Sequence, residues 1–257
     1  MWYALISCDV FVREICRMVA DSPHTVDVRF LEKGLHERPD YLRGVLQQEI
    51  DTLSAADKPF DAILLGYALC GNSTLGLTAR HIPVVIPKAH DCIALFLGSR
   101  HRYLEEFNQN PGTYYYTPSA VERGYAVGAE SSESKERKYT EYVAKYGEDN
   151  ARYLLEMEES WTRHYRFAAF IDYPEFRFLD CAKRVREIAR KKSLEYRELL
   201  GNLVLVKKLV EGDWDPADFL VLQAGQTIEV TNDEMVITAS GHVDHDRISS
   251  RSTPHGN

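Results

Sequence analysis

Short apolar runs recur four times along about the first 120 residues, separated by more polar segments. Continuous runs at 2–7, 60–67 and 82–87 predict buried strands of the kind found at the centre of parallel sheets. At 25–31, apolar and polar residues alternate, which also predicts a strand. The chain is therefore expected to begin with four strands.

A segment with helical character follows each of these strands. The helices are expected after Asp9 as N-cap, at Pro39, beyond the loop 69–74, and at Ile93. Strands and helices that alternate in this way form βαβ units, whose crossovers are right-handed and whose strands are parallel. The pattern predicts an α/β protein with a doubly wound, mostly parallel, Rossmann-like sheet and a helical insertion.

The rest of the chain contains further apolar runs and one charged stretch. The runs predict strands at 114–117, 167–171, 203–206 and 219–222 and a helix at 180–192. The predicted organisation has four parts: the first half of the α/β core at 1–121, a helical insertion or cap at 122–166, the remainder of the core at 167–237, and a flexible tail at 238–257. Whether the insertion is a lid or a dimer contact is left open.

Composition narrows the function classes. The chain has 257 residues, of which 44% are hydrophobic and 27% charged, as expected for a globular protein with a substantial core. The net charge of -8, without a dense basic block, argues against nucleic-acid binding. No apolar run approaches a membrane span and no secretory signal pattern is present, so we expect a cytoplasmic protein without membrane association. No G-x-G-x-x-G motif follows the first strand, so NAD is not an expected cofactor.

Three of the five cysteines directly follow predicted strands. Cys8 follows the first strand, Cys70 the third and Cys92 the fourth. Ligands of open parallel sheets bind outside the carboxyl ends of the strands, so we expect these thiols to lie together, beside His90 and Asp91. The alternative for each cysteine is a role as a small buried hydrophobic residue, which is common for free thiols.

The remaining cysteines and the tail histidines are weaker candidates. Cys16 falls inside the first predicted helix and is expected in the core. Cys181 follows another apolar stretch and is a further candidate ligand. The odd number of cysteines and a reducing compartment argue against structural disulfides. His242, His245 and His255 lie in a polar terminal segment, where a frayed tail is the better interpretation than a metal site.

Metal binding is the first chemistry that suits the predicted cluster. Thiolates and imidazole are ligands of zinc, and thiolates also hold iron–sulfur clusters. The predicted ligands are Cys8, Cys70, Cys92 and His90, with zinc or an iron–sulfur cluster as the cofactor. His90 is alternatively a catalytic residue beside the metal, with Asp91 orienting it or acting as a base. No C-x-x-C motif is present, so the prediction rests on the expected geometry.

Thiol catalysis without a metal is the second chemistry. A cysteine at a strand end and helix N-terminus has a lowered pKa and is a competent nucleophile or base. Residues 70–74 resemble the Cys-Asn-Thr loop of aspartate and glutamate racemases, which place two thiols across one substrate. That resemblance makes Cys70 one thiol and Cys8 or Cys92 the other, although Gly71 interrupts the motif.

Polar residues near the same strand ends are candidate contacts for a small-molecule substrate. His36 and Arg38 follow the second strand, and a loop arginine can hold a carboxylate or phosphate through two hydrogen bonds. Lys88 follows the fourth strand and can act as a point charge. Asn72 lies in the loop after the third strand.

Three segments resemble the family known as domain of unknown function 1638. They are 34–39, 64–72 and 87–99, and the resemblance is close over about the first 120 residues. It implies corrinoid-linked one-carbon or methyl-transfer metabolism as a context, with a corrinoid protein as a partner. It also favours a metal, because thiolate-bound zinc activates thiols for methyl transfer.

These features predict a metal-dependent enzyme or accessory protein in corrinoid-linked methyl transfer. Two alternatives stay open: a metal-free isomerase that uses two cysteines, and a protein that delivers a metal or cofactor without turnover. The sequence specifies neither the substrate nor the oligomeric state.

Overall fold

The chain forms two compact units. The computed structural model describes residues 1–125, 132–161, 164–231 and 236–240. The first unit contains Met1–Arg100 together with the described residues from Asn202 onward. The second contains the described residues of His101–Gly201.

Ten strands and nine α-helices are formed by the described residues. The strands are β1 (Trp2–Cys8), β2 (Thr25–Leu31), β3 (Ala62–Gly66), β4 (Val84–Pro87), β5 (Thr113–Tyr116), β6 (Phe167–Asp172), β7 (Glu195–Leu200), β8 (Phe219–Leu222), β9 (Thr227–Val230) and β10 (Ile237–Ser240). The helices are α1 (Val12–Asp21), α2 (Pro39–Ser54), α3 (Ile93–Leu97), α4 (Arg100–Gln109), α5 (Pro118–Glu122), α6 (Ser132–Tyr146), α7 (Glu148–Trp161), α8 (Cys181–Lys192) and α9 (Val204–Glu211). Within the described part of the chain, no helix has both the length and the apolar character that a membrane span needs.

The central sheet of the first unit has the strand order β2-β1-β3-β4-β8. β1 pairs in parallel with β2 and β3, and β3 pairs in parallel with β4. β8 runs antiparallel to β4, so the sheet is mixed. The predicted α/β class and the mostly parallel sheet are confirmed.

Burial follows the position of each strand in this sheet. Every residue of β3 and β4 is buried, in agreement with their continuous apolar runs. β2 lies at the edge and is half-exposed, in agreement with its alternating sequence. α2 packs against β1, and α9 packs against β3 and β4. The sheet is thereby a rigid base for the loops that follow its strands.

Gly66 lets β3 approach β1 closely at the carboxyl ends of both strands. Gly66 is paired with Ser7, whose hydroxyl donates a hydrogen bond of 3.1 Å to the Gly66 carbonyl oxygen. A Cβ at position 66 would lie 2.6 Å from the Cβ of Ser7, which is closer than close-packed atoms permit. This contact fixes the two chain segments immediately before Cys8 and Tyr67.

The second unit has a parallel sheet of its own, with the order β5-β6-β7. Tyr116, Ala168, Phe170 and Val185 belong to its apolar core, which joins β5, β6 and α8. α6 and α7 contact each other and occupy the described part of 122–166, the segment expected to be helical.

The predicted strand at 203–206 is wrong, because these residues begin α9. The buried side chains of this helix are Leu205, Val206, Leu209 and Val210, which recur at helical spacing. Residues 203–206 are leucine and valine, and such a short apolar run predicts a strand when it is taken without the residues that follow it.

Two predictions about helix starts are also wrong. Asp9 does not cap α1: it lies in a 3₁₀ turn, and its carboxylate accepts a hydrogen bond of 3.0 Å from the backbone N–H of Lys33. No helix follows the loop 69–74, whose residues form turns. Cys70, Gly71 and Asn72 have φ angles of 46°, 64° and 70°, and this left-handed backbone cannot begin a right-handed helix.

The described strands form three sheets instead of the predicted one. β5, β6 and β7 pair only among themselves, and β9 pairs with β10 in a small antiparallel sheet. The compact units therefore have other boundaries than the four predicted segments. Residues 238–240 belong to β10, so the tail predicted from 238 is wrong for them, whereas 241–257 lie outside the described residues.

Candidate thiol site

The candidate site lies where three neighbouring parallel strands end. β1 ends at Cys8, β3 ends one residue before Tyr67, and β4 ends at Pro87. Because β1 pairs with β3 and β3 with β4, all three in parallel, the loops that follow them emerge at the same edge. This is the edge at which open α/β sheets bind ligands.

Two of these loops are joined by backbone hydrogen bonds. The N–H of Leu69 donates to the carbonyl oxygen of Ala89 at 2.8 Å, and the N–H of Cys70 donates to that of His90 at 3.2 Å. The Ser73 hydroxyl closes the turn by donating to the Cys70 carbonyl oxygen at 2.7 Å. The loop after β3 is therefore held against the loop after β4.

This arrangement brings Cys70 and Cys92 into contact. Their Sγ atoms lie 3.1 Å apart, although 22 positions separate them in the chain. Both side chains are partly exposed. Cys70 has a φ of 46°, a left-handed conformation that costs about 1–3 kcal/mol for a residue with a side chain. The fold thus keeps Cys70 in a strained conformation that places its thiol beside Cys92.

Cys8 is the third thiol of the cluster and is buried. Burial raises the pKa of the Cys8 thiol to about 12, and the neighbouring Asp9 and Cys70 contribute in the same direction. The pKa of Cys92 is also raised, first by its hydrogen bond with Cys70 and then by burial, with Cys8 among the smaller causes. The three thiols are therefore close enough for the charge on one to disfavour charge on the others.

Tyr67 faces the same thiols and was not among the predicted site residues. It is only 2% exposed, and its hydroxyl has no hydrogen-bond partner in the described part of the chain. Burial raises its pKa, and the charges of Cys8, Cys92 and Cys70 raise it further. Its position directly after β3 was the available signal, because the same rule that selected Cys70 applies to the residue at the strand end.

His90 and Asp91 lie in the loop after β4, as predicted, but their contacts differ from the expected ones. The His90 side chain is exposed, and its backbone carbonyl makes the bond to Cys70. One Asp91 carboxylate oxygen accepts a hydrogen bond of 2.8 Å from the N–H of Ile93, at the start of α3. Burial raises the pKa of Asp91, and His36 opposes this. Asp91 therefore stabilises the turn that carries Cys92.

The predicted substrate contacts are dispersed. The exposed His36 ring bonds to the carbonyl oxygen of Lys33, and the Arg38 guanidinium lies 5.0 Å from the ring centre of Tyr41. Lys88 is buried, and its ammonium group donates to the carbonyl oxygen of Pro216 at 2.8 Å.

Asn72 and the two remaining cysteines have other surroundings than those predicted. Asn72 is exposed, and its carbonyl oxygen accepts a bond of 2.9 Å from Arg43. Cys16 was expected in the core but is exposed on α1, because it falls on the outer face of that helix. Cys181 is buried in the apolar core of the second unit.

The cluster does not have the geometry of a closed metal site. Across the described residues, no group of three or more His, Cys, Asp or Glu side chains is arranged to hold a metal ion. Two thiolates bound tetrahedrally at about 2.3 Å from one zinc ion lie about 3.8 Å apart. The 3.1 Å between the sulfurs of Cys70 and Cys92 is about 0.7 Å shorter than this. A small side-chain rotation would make the pair suitable as two of the ligands.

The sequence model of a family described as protein of unknown function, DUF1638, matches residues 30–210. The chain belongs to the DUF1638 family. The matched stretch includes Tyr67, Cys70 and Cys92, whereas Cys8 precedes it. Comparisons of this DUF1638 protein with curated proteins and with solved structures gave no match.

Proposed function

We propose that Cys8, Cys70 and Cys92 bind one thiophilic metal ion, with zinc as the first candidate, and that this ion makes the protein a metal-dependent enzyme or accessory protein. The observation that carries the proposal is the contact between the thiols of Cys70 and Cys92, whose sulfurs lie 3.1 Å apart at the strand edge where β1 ends with Cys8. Thiolates are the preferred ligands of zinc and of iron–sulfur clusters.

A metal ion suits the electrostatics of this cluster. Three thiols crowded at one strand edge cannot all ionise, because each negative charge disfavours the next. A divalent cation takes the place of the protons and neutralises the thiolates, so metal binding is accompanied by proton release. The exposed His90 is not required in this proposal, which differs in that respect from the four-ligand set expected from sequence.

Three protein ligands leave one position of a tetrahedral ion open for water or substrate. Among the described residues the buried Tyr67 hydroxyl has no hydrogen-bond partner, so it is available to hold a polar atom bound at that position. We propose a small molecule as the substrate, and methyl transfer with a corrinoid protein as the reaction context, on the family resemblance. The substrate would then bind outside the carboxyl ends of the strands, as ligands of doubly wound sheets do.

The metal-free isomerase is less compatible with the geometry. Two-thiol racemases need their sulfurs on opposite faces of one carbon atom, whereas Cys70 and Cys92 touch each other. Such a mechanism would need a pair that consists of the buried Cys8 and one of these two thiols.

Metal analysis of cysteine variants tests the proposal. Protein purified without oxygen and without an affinity tag is expected to hold about one zinc per chain, or iron with sulfide. Cys70→Ala and Cys92→Ala should lose the metal, whereas Cys16→Ala, which alters an exposed thiol on α1, should keep it. Folding of each variant is checked by circular dichroism.

Failure of the wild-type protein to retain or take up any metal would refute the proposal and leave free-thiol chemistry. A stoichiometric metal without turnover of methyl-transfer substrates would favour delivery over catalysis.

A further inference from the structure

Cys70 and Cys92 are positioned for a covalent bond as well as for a shared ligand. Their sulfurs are 3.1 Å apart, and a disulfide needs about 2.05 Å, so a displacement of about 1 Å joins them. The two backbone hydrogen bonds between the loops, from Leu69 to Ala89 and from Cys70 to His90, keep the thiols together. We propose that Cys70 and Cys92 are a modification site, at which a low-molecular-weight disulfide such as oxidised glutathione converts them to a reversible disulfide.

The contact between the two sulfurs distinguishes this pair from the other thiols. Cys70 and Cys92 are both less buried than Cys8. Cys8 is 7% exposed and is protected from the reagent. Cys16 is exposed on α1, and Cys181 is buried in the second unit. The protein disulfide is therefore expected at the pair, because a second thiol lies 3.1 Å from the first and can complete the exchange.

The reaction is two thiol–disulfide exchanges. One protein thiolate attacks a sulfur of oxidised glutathione, which forms a mixed disulfide and releases one glutathione. The second protein thiolate attacks the protein sulfur of that mixed disulfide, forms the Cys70–Cys92 bond and releases the second glutathione. Two protein thiols are oxidised, one glutathione disulfide is reduced, and the two protons of the protein thiols end on the two glutathione molecules.

The disulfide would also regulate the metal site, a consequence that rests on the proposed function. It removes two of the three thiolates that the proposal assigns to the metal, so the oxidised protein cannot hold the ion. A bound metal ion conversely occupies both sulfurs and protects them from oxidation. Metal content and redox state are then linked at one pair of residues.

Peptide mass spectrometry under non-reducing conditions tests the inference. Metal-free, fully reduced protein is equilibrated with buffers of increasing oxidised to reduced glutathione, and the linked peptides are identified. The expected product is one Cys70–Cys92 linkage, reversed by reduced glutathione, and formed at least tenfold more slowly after prior addition of zinc. Cys16→Ala should form the same linkage, and Cys92→Ala should stop at the mixed disulfide on Cys70.

The outcomes separate this inference from the proposed function. A Cys70–Cys92 linkage in a protein that binds no metal supports the disulfide and overturns the metal site. Metal binding without any Cys70–Cys92 linkage, even in the most oxidising buffer, overturns the disulfide and leaves the metal site standing. A linkage that involves Cys8 instead would overturn the assignment of the pair.

Discussion

The mixed sheet of the first unit and the parallel sheet of the second differ at the carboxyl ends of their parallel strands. In the β5-β6-β7 sheet, the polar side chains that follow β5 and end β6 have partners. The Thr117 hydroxyl oxygen accepts a hydrogen bond of 3.2 Å from the N–H of Ala120, and the buried Asp172 binds the guanidinium of Arg177 at 2.6 Å. These contacts give Thr117 and Asp172 a structural role that is sufficient to explain their presence.

The edge formed by β1, β3 and β4 has features that the other edge lacks in the described part of the chain. The thiols of Cys70 and Cys92 are in contact, Cys70 has a left-handed backbone, and the buried Tyr67 hydroxyl has no hydrogen-bond partner among the described residues. The left-handed backbone of Cys70 and the unsatisfied Tyr67 hydroxyl both oppose folding stability. Proteins retain such local conflicts mainly at functional sites, so the comparison favours the first edge as the place of the proposed chemistry.

Zinc binding is expected to produce the largest difference between the two sheets. At zinc concentrations about 100-fold above Kd, binding stabilises the folded state by about 2.7 kcal/mol. Amide hydrogen exchange should slow in β1, β3, β4 and the loops that follow them, and should stay unchanged in β5, β6 and β7. Equal slowing in both sheets, or none in either, would contradict a metal site confined to the first edge.

Substitution of two close-packed glycines by alanine is expected to have the next largest effect, which is a loss of folding stability. Gly66→Ala places a Cβ 2.6 Å from the Cβ of Ser7, and Gly201→Ala places one 2.6 Å from Cδ1 of the buried Tyr173. Overpacking of this kind lowers the free energy of unfolding by about 1–3 kcal/mol, as measured by denaturant titration.

The two glycine variants should differ in zinc affinity. Gly66→Ala should weaken it, because the substitution displaces the strand ends that carry Cys8 and Tyr67. Gly201→Ala is the matched control and should leave the affinity unchanged. The same loss of affinity in both variants would show that the metal site responds to general destabilisation.

Two tyrosines should show the smallest effects, with opposite signs. Tyr67→Phe removes a buried hydroxyl that has no hydrogen-bond partner in the described part of the chain, and should raise the free energy of unfolding of the metal-free protein by about 1 kcal/mol. Tyr196→Phe removes a hydrogen bond of 2.6 Å to Glu198 and should lower it by about 1 kcal/mol. Thermal denaturation measures both, and a destabilised Tyr67→Phe would mean that this hydroxyl already has a partner.

The sequence predicted the strands that can be recognised from the hydrophobic pattern of their own residues. The continuous apolar runs identified β1, β3 and β4, and the rule that ligands bind at carboxyl strand ends selected Cys8, Cys70 and Cys92. The polar β7 gave little signal, because edge strands expose many side chains and lack a continuous apolar run. The division into three sheets depends on pairing between distant segments, which periodicity does not determine.

The chemical environment of the site was less predictable than its location. The sequence does not reveal that Lys88 is engaged by the carbonyl of Pro216, 128 positions away, or that Asp91 bonds to Ile93. Tyr67 was predicted as part of a strand, and its unpaired hydroxyl becomes visible only when the surrounding residues are in place. The three-dimensional contacts thus shift the candidate site from a cysteine–histidine set to three thiols and a phenol.

X-ray absorption at the zinc edge, on protein reconstituted with one zinc ion per chain, tests the central claim most directly. We expect three sulfur ligands at about 2.3 Å and one lighter ligand, with sulfur lost from the first shell in Cys70→Ala and Cys92→Ala. A first shell of nitrogen and oxygen alone would contradict the account, because the zinc would then be bound away from the thiols.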